Sequence, residues 1–218
     1  MPRPEQPPRV LLIDMGGVFF TYSFLSALDA WARASGQDAG KLRERWRIDA
    51  PFDAFERGEI TPAAYLDHLR HLLALDLSDH QLAAGWNAIY GHANTRLLGL
   101  LGTAEVRDRF HRVVGVSNTN TLHADFWREL YAEHLPVLET VHCSHEMGVT
   151  KPACEFFNRV AAAHGVRREH LVLIDDIPEV VDAARALGLA AHRYQDVDAF
   201  TAFLDTLPPA TASKDTVL

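Results

Sequence analysis

The chain has 218 residues, a hydrophobic content of 48% and a formal net charge of −8 at pH 7. This length and composition suit one globular domain, with or without an inserted unit. The negative charge argues against nonspecific binding to nucleic acid or to an anionic membrane. Two cysteines are too few for a disulfide scaffold, and no apolar stretch reaches the length of a transmembrane helix. We therefore expect a cytoplasmic protein with neither nucleic acid nor membrane as a partner.

The first predicted element is a short buried strand, Val10 to Ile13, which ends in Asp14 and two glycines, Gly16 and Gly17. An apolar run bounded by glycine is typical of a strand in a parallel sheet. The carboxyl ends of such strands form the edge at which open α/β sheets bind their ligands. Asp14 is therefore a candidate catalytic residue.

A long helical segment follows this strand. Apolar residues at helical spacing predict helices at 24–34, 41–46, 62–75 and 79–90. Asp14 and Ser117 end what we expect to be successive strands, yet they are much further apart in sequence than a βαβ crossover requires. We therefore predict that residues 20–92 form a helical insert. It would lie over the ligand-binding edge of the sheet, where it could exclude water. The alternative is a larger two-layer core with no separate cap.

Strands and helices alternate in the rest of the chain. Strands are predicted at 113–116, 138–141, 171–174 and 190–194, and helices at 121–134, 152–164, 179–187 and 197–204. This alternation predicts an α/β fold, a parallel sheet with helices on both faces. We assign residues 9–19 and 93–206 to this core. The polar and proline-rich ends, 1–8 and 207–218, are expected to be flexible.

Polar residues stand at several strand ends and helix starts of this predicted fold: Asp14, Ser117, Lys151, Asp175 and Asp176. Asp14 can attack phosphorus and form an acyl phosphate. Two further carboxylates nearby require a cation, and their oxygen atoms suit Mg²⁺. Ser117 can bind phosphate oxygens, and Lys151 adds a compact positive charge. Each residue alone is more typical of a turn or a helix cap, but their joint occurrence favours an active site.

These residues resemble the four motifs of the haloacid dehalogenase-like hydrolase superfamily. Residues 14–18 match the first motif, Ser117-Asn118 the second, Lys151-Pro152 the third and Asp175-Asp176 the fourth. Residues 56–60 resemble a cap signature of subclass I members. Residues 117–123 and 144–148 are similar to bacterial α-D-glucose-1-phosphate phosphatases and their relatives.

The resemblance implies a Rossmann-like core with a small helical, C1-type cap inserted after the first strand. It implies Mg²⁺-dependent hydrolysis of a small phosphorylated metabolite, with sugar phosphates as one candidate class, through an aspartyl phosphate. Asp14 and Lys151 would be the catalytic residues, and Ser117, Asn118 and Lys151 would bind phosphate. The metal ligands would be Asp14, Asp175, Asp176 and the backbone carbonyl of Gly16.

Gly16 departs from most phosphatases of the superfamily, which carry at this position a second aspartate that protonates the leaving oxygen and then activates water. Tyr22, His123 and His145 are candidates for the missing proton donor, although each taken alone is more typical of a packing or surface residue.

Two other functions stay open. One is a metal-independent 2-haloacid dehalogenase on the same fold, against which the pair Asp175-Asp176 argues because halide displacement has no use for a metal cluster. The other is a weakly active or noncatalytic relative, which the missing acid at Gly16 would explain. The sequence does not indicate an oligomeric state.

Overall fold

The computed structural model describes residues 8–207. In chain order its elements are β1 (Val10–Asp14), β2 (Phe20–Tyr22), α1 (Phe24–Ser35), α2 (Ala39–Arg45), α3 (Ala50–Glu56), α4 (Pro62–Leu73), α5 (Asp79–Asn87), β3 (Tyr90–Ala93), α6 (Thr95–Leu101), α7 (Ala104–Arg109), β4 (Arg112–Ser117), α8 (Thr121–Leu130), β5 (Val141–Cys143), α9 (Ser144–Met147), α10 (Cys154–Ala163), β6 (Leu171–Asp175), α11 (Pro178–Ala186), β7 (Ala190–Arg193) and α12 (Val197–Thr206). The predicted flexible ends, 1–8 and 207–218, lie outside the described residues except for Pro8 and Leu207. Leu207 packs against the core.

Within residues 8–207 the central sheet has five parallel strands in the order β5-β4-β1-β6-β7. This arrangement confirms the predicted α/β class with a Rossmann-like parallel sheet. Asp14 pairs with Val116, and Ile13 pairs with Ile174. Ser117 and Asp175 therefore end the two strands that flank β1 at nearly the same level as Asp14.

Side chains of β1 are buried on both faces of the sheet. Leu11 and Ile13 belong to one hydrophobic cluster, whereas Val10 and Leu12 belong to another. This alternation is the period of two that a strand imposes. Burial on both faces explains why the strand is apolar throughout until it ends at Asp14.

A third hydrophobic cluster lies among α1 to α5, with Trp31 and Trp86 at its centre. The two indole rings stack, with centroids 6.1 Å apart and an angle of 6° between their planes. Side-chain caps fix where several of these helices begin. At the start of α5 the Ser78 hydroxyl accepts a hydrogen bond from the Gln81 N–H, and the Gln81 side chain accepts one from the Ser78 N–H. We keep residues 20–92 as the predicted extent of the cap.

Several elements differ from the prediction. The pair of antiparallel strands β2 and β3 was not predicted, and it replaces the end of the helix expected at 79–90. These strands are too short for their side-chain pattern to be distinguished from a helix end. Helix α3 was also missed. The strand expected at 138–141 lies further along the chain, as β5. Leu138 is apolar because it is a buried core residue that precedes the strand, not because it belongs to it.

Among residues 8–207, no helix combines the length and the apolar character that crossing a membrane requires.

The close packing of α5 against α1 depends on Gly85. A Cβ atom at this position would overlap Nε1 of Trp31, which also donates a hydrogen bond to the Leu82 carbonyl. We expect Gly85→Ala to lower the free energy of unfolding by about 1–3 kcal/mol through overpacking, measured by urea denaturation.

Gly99 provides the matched control, because it lies in α6 with nothing within 4 Å of an added Cβ atom. There the same change should raise the free energy of unfolding by about 0.5–1 kcal/mol, through helix propensity alone. Stabilisation by Gly85→Ala would contradict the packing of α1 on α5.

Candidate active site

The side chains of Asp14, Lys151 and Asp175 meet at the carboxyl edge of the sheet. Asp14 ends the central strand β1 and Asp175 ends its neighbour β6. Lys151 Nζ lies 2.6 Å from Asp14 Oδ1 and 2.6 Å from Asp175 Oδ2, and donates a hydrogen bond to each. All three side chains are buried, so these charge-assisted bonds form away from bulk water.

The backbone of Lys151 is fixed by Asn118, which follows β4. The Asn118 amide donates to the Lys151 carbonyl at 2.9 Å, and its oxygen accepts from the Lys151 N–H at 2.8 Å. The Asn118 side chain thus positions the loop that carries Lys151. Ser117, the last residue of β4, is buried beside it and lines the same cavity.

Asp14, Asp175 and Asp176 each offer a carboxylate oxygen, and these atoms lie within 4.8 Å of one another. Oδ1 of Asp176 is buried without a hydrogen-bond partner among the described residues. Gly17, with φ of 83°, makes room for this side chain, since a Cβ atom there would overlap the Asp176 carboxylate. Sequence reasoning did not identify this role of Gly17, although two successive glycines after Asp14 were a signal.

The charges of this cluster do not balance within the protein. Burial raises the pKa of Asp14, and the charges of Asp175 and Asp176 add to this rise although Lys151 opposes it. Burial, followed by the charge of Asp175, also raises the pKa of Asp176. Burial alone would lower the pKa of Lys151, but the two bonded carboxylates outweigh it and raise that pKa. Lys151 bonds to two of the three carboxylates, and the positive charge of Arg193 acts on Asp176. Negative charge is still in excess, so the donor set fits a divalent cation with oxygen ligands.

A cavity of about 200 Å³ opens above Asp14. Residues 93–206 and the end of β1 contribute most of its polar lining, and residues 20–92 contribute mostly apolar and aromatic side chains. The lining residues are Asp14, Gly16, Phe20, Tyr22, Phe24, Ile48, Phe52, Glu56, Ile89, Tyr90, Ser117, Asn118, Thr119, His123, Lys151, Ile177 and Val180. Glu56 and the aromatic wall were not predicted as site residues, because their approach to Asp14 depends on how the cap docks.

The three candidate proton donors lie in different surroundings. Tyr22 lines the cavity, and burial, followed by the charge of Asp176, raises its pKa to about 12. His123 also lines the cavity, but its ring stacks on Trp86 and its Nε2 donates to the Trp86 carbonyl at 3.0 Å. Burial lowers the pKa of His123 to about 3, so this side chain is a neutral packing group. His145 is not among the cavity-lining residues.

Comparisons with known proteins agree with this fold. No family model matches the chain. A D-ribitol-5-phosphate phosphatase of Bacteroides thetaiotaomicron is 23% identical over 82% of this chain and 87% of its own length. A sesquiterpene phosphatase of Aspergillus oryzae is 26% identical over 86% of this chain and 90% of its own length. A crystal structure of a haloacid dehalogenase family enzyme from B. thetaiotaomicron, in complex with magnesium and inorganic phosphate, is 26% identical. It matches with a TM-score of 0.74, over 89% of this chain and 99% of that one.

The fold is a Rossmann-like sheet, and the relatives found by sequence and by structure indicate a hydrolase of the phosphatase class. The curated phosphatases and the structural relative support assignment of the chain to the haloacid dehalogenase-like hydrolase superfamily. The predicted superfamily and the prediction of a hydrolase are thereby confirmed. The narrower assignments, to subclass I and to the glucose-1-phosphate phosphatase branch, stay predictions.

Asp176→Asn tests the cation site, because it removes one of three like charges. In EDTA we expect the variant to unfold at a higher temperature than the wild type, since repulsion is relieved. Mg²⁺ at 100 times its dissociation constant should stabilise the wild type by about 2.7 kcal/mol, a shift of several degrees, and the variant much less. Differential scanning calorimetry measures both effects.

Asp182→Asn, at an exposed position of α11, is the control and should keep the full Mg²⁺ response. An equal response of Asp176→Asn would contradict the placement of Asp176 in a cation site.

Proposed function

We propose that this protein is a Mg²⁺-dependent phosphatase that hydrolyses a small phosphorylated metabolite through an aspartyl phosphate on Asp14. The observation that carries the proposal is the position of Asp14, at the end of the central strand, bonded to Lys151 and facing a cavity with Ser117. The phosphatase names of both curated relatives support the same reaction class.

In the first step Asp14 attacks phosphorus. A bond forms between its carboxylate oxygen and the phosphorus, the ester P–O bond breaks, and the alcohol leaves with a proton. Lys151 holds the Asp14 carboxylate in place and offers positive charge to the phosphoryl oxygens. In the second step water attacks the same phosphorus atom, and phosphate leaves Asp14 as a free carboxylate.

Ser117 and Asn118 contribute to phosphate binding in different ways. The hydroxyl of Ser117 can donate to a phosphoryl oxygen. The side chain of Asn118 is engaged with the backbone of Lys151, so we propose that it acts by positioning Lys151 and that any phosphate contact comes from its backbone N–H. Loss of that side chain would displace the ammonium from Asp14.

The carboxylates of Asp14, Asp175 and Asp176, together with the backbone carbonyl of Gly16, are the proposed Mg²⁺ ligands. When bound there, Mg²⁺ would neutralise the surplus carboxylate charge and the charge of the phosphoryl group. The magnesium and phosphate complex of the structural relative supports this cofactor.

The aliphatic and phenyl side chains that residues 20–92 contribute to the cavity favour an apolar leaving group. Phe24, Ile48, Phe52 and Ile89 line the cavity, and such side chains offer no hydrogen bonds to the hydroxyl groups of a sugar. We therefore rank small aromatic or branched alkyl phosphates above sugar phosphates as substrates. By name, one relative is a D-ribitol-5-phosphate phosphatase and the other a sesquiterpene phosphatase, so the leaving groups of the relatives differ in polarity.

Phosphate release from a panel of esters, with Mg²⁺ and with EDTA, tests the proposal. We expect turnover that requires Mg²⁺, and a loss of more than about 10⁴-fold in Asp14→Asn, because the nucleophile is removed. Asp29→Asn, an exposed change in α1, should leave turnover intact.

Turnover that survives EDTA would contradict the metal-dependent mechanism. Chloride release from L-2-chloropropionate without phosphate release would favour the dehalogenase alternative. Absence of both activities would favour the noncatalytic one.

A further inference from the structure

The site has no acid at position 16, and the ring of Tyr22 crowds the space beside this glycine. An ideal Cβ atom on Gly16 would lie 3.1 Å from Cε1 and 3.2 Å from Cδ1 of Tyr22. The Tyr22 ring would have to shift by a few tenths of an ångström to admit a side chain at position 16. If the ester oxygen leaves as an alcohol, its proton must come from a group elsewhere in the cavity.

We propose that Glu56, contributed by the cap, is the general acid that protonates the leaving oxygen and then the general base that activates water. This proposal rests on the phosphatase function proposed above. Glu56 is the last residue of α3 and lines the same cavity as Asp14, Gly16 and Lys151. Among residues 8–207 no group forms a hydrogen bond with its carboxyl group, which leaves it available to a substrate or a water molecule.

The turn that carries Glu56 is held against the core by contacts close to Thr119, which lines the cavity as Ser117 does. Ser144 Oγ lies 2.6 Å from the Glu56 carbonyl and accepts from the Thr119 N–H at 2.9 Å. Gly58, with φ of 68°, packs so closely on the core that a Cβ atom there would overlap the His145 carbonyl oxygen. These contacts hold Glu56 in one place relative to the end of β4.

The surroundings of Glu56 suit proton transfer near neutral pH. Burial, followed by the charge of Asp53, raises the pKa of Glu56 to about 7, although Lys151 acts in the opposite direction. A group that both gives and takes a proton works best when its pKa lies near the operating pH. The other ionisable side chains whose charge interacts with Glu56 are Tyr22, Tyr65 and Tyr90, all of which are neutral in that range.

The proposed cycle balances its protons. As the ester P–O bond breaks, the leaving oxygen takes the proton of the Glu56 carboxylic acid. The Glu56 carboxylate then takes a proton from water while the water oxygen bonds to phosphorus and the bond between phosphorus and Asp14 breaks. Glu56 ends protonated, ready for the next ester.

The test compares kcat/KM of Glu56→Gln for two esters with different leaving groups. A simple alkyl phosphate needs a proton donor, and its kcat/KM should fall by about 10²–10⁴-fold. The 4-nitrophenolate leaves without help, so kcat/KM for 4-nitrophenyl phosphate should fall less than about tenfold. Because kcat/KM covers the steps up to the first irreversible one, a slower second step does not obscure this difference.

Glu59→Gln is the matched control, since Glu59 lies on the same turn but is exposed and paired with Arg57; it should alter neither value. An equal loss for both esters in Glu56→Gln would show a structural role and overturn the proposal. The proposal would also be overturned if kcat/KM of Glu56→Gln fell only for a cationic ester such as phosphocholine. It would be overturned as well if Tyr22→Phe, and not Glu56→Gln, showed the loss that depends on the leaving group. Wild-type turnover of both esters establishes the phosphatase function separately, and its absence would overturn both proposals.

Discussion

Lys151 donates hydrogen bonds of 2.6 Å to Asp14 and to Asp175, but the cluster holds a third carboxylate, Asp176, whose Oδ1 has no hydrogen-bond partner within the described residues. This imbalance of buried charge is the constraint that the site has to meet. The strand order places the carboxylates together, Gly17 admits Asp176, and Asn118 holds the loop of Lys151. A divalent cation would complete the cluster, and a phosphoryl group would bring further negative charge to the same place.

Core and cap contribute different parts of the site. The core supplies Asp14, Lys151 and Ser117 from strand ends and an adjoining loop, whose positions follow from a sheet buried on both faces. The segment from β2 to β3, which we predict to be a cap, supplies Glu56 and an aromatic wall. His123 links the two, because it belongs to α8 of the core while its ring stacks on Trp86 and its Nε2 bonds to the Trp86 carbonyl. The position of the cap therefore decides which substrate fits and, on our proposal, where the proton comes from.

The sequence was sufficient to predict the groups at the sheet edge, because their position follows from simple rules. An apolar strand that ends in Asp14, and another that ends in Asp175, must bring these residues to the same edge if both strands are parallel neighbours. The resemblance to a known superfamily pointed to the same residues.

The sequence could not predict the contacts that depend on tertiary packing. Glu56 was visible only as part of a cap signature, because its approach to Asp14 depends on Ser144 and Gly58. Tyr22 was one of three candidate donors, and nothing in the pattern indicated that its ring covers Gly16. The short strands β2 and β3, which position Tyr22 and Tyr90, carry too few residues for a recognisable period.

The stereochemical course at phosphorus tests the central claim most directly, namely that Asp14 receives the phosphoryl group before water does. A chiral thiophosphate ester would be hydrolysed in isotopically labelled water, and the configuration of the released thiophosphate determined by NMR. Two successive in-line displacements, first by Asp14 and then by water, predict retention of configuration. Inversion would mean a single displacement by water and would contradict the aspartyl phosphate mechanism.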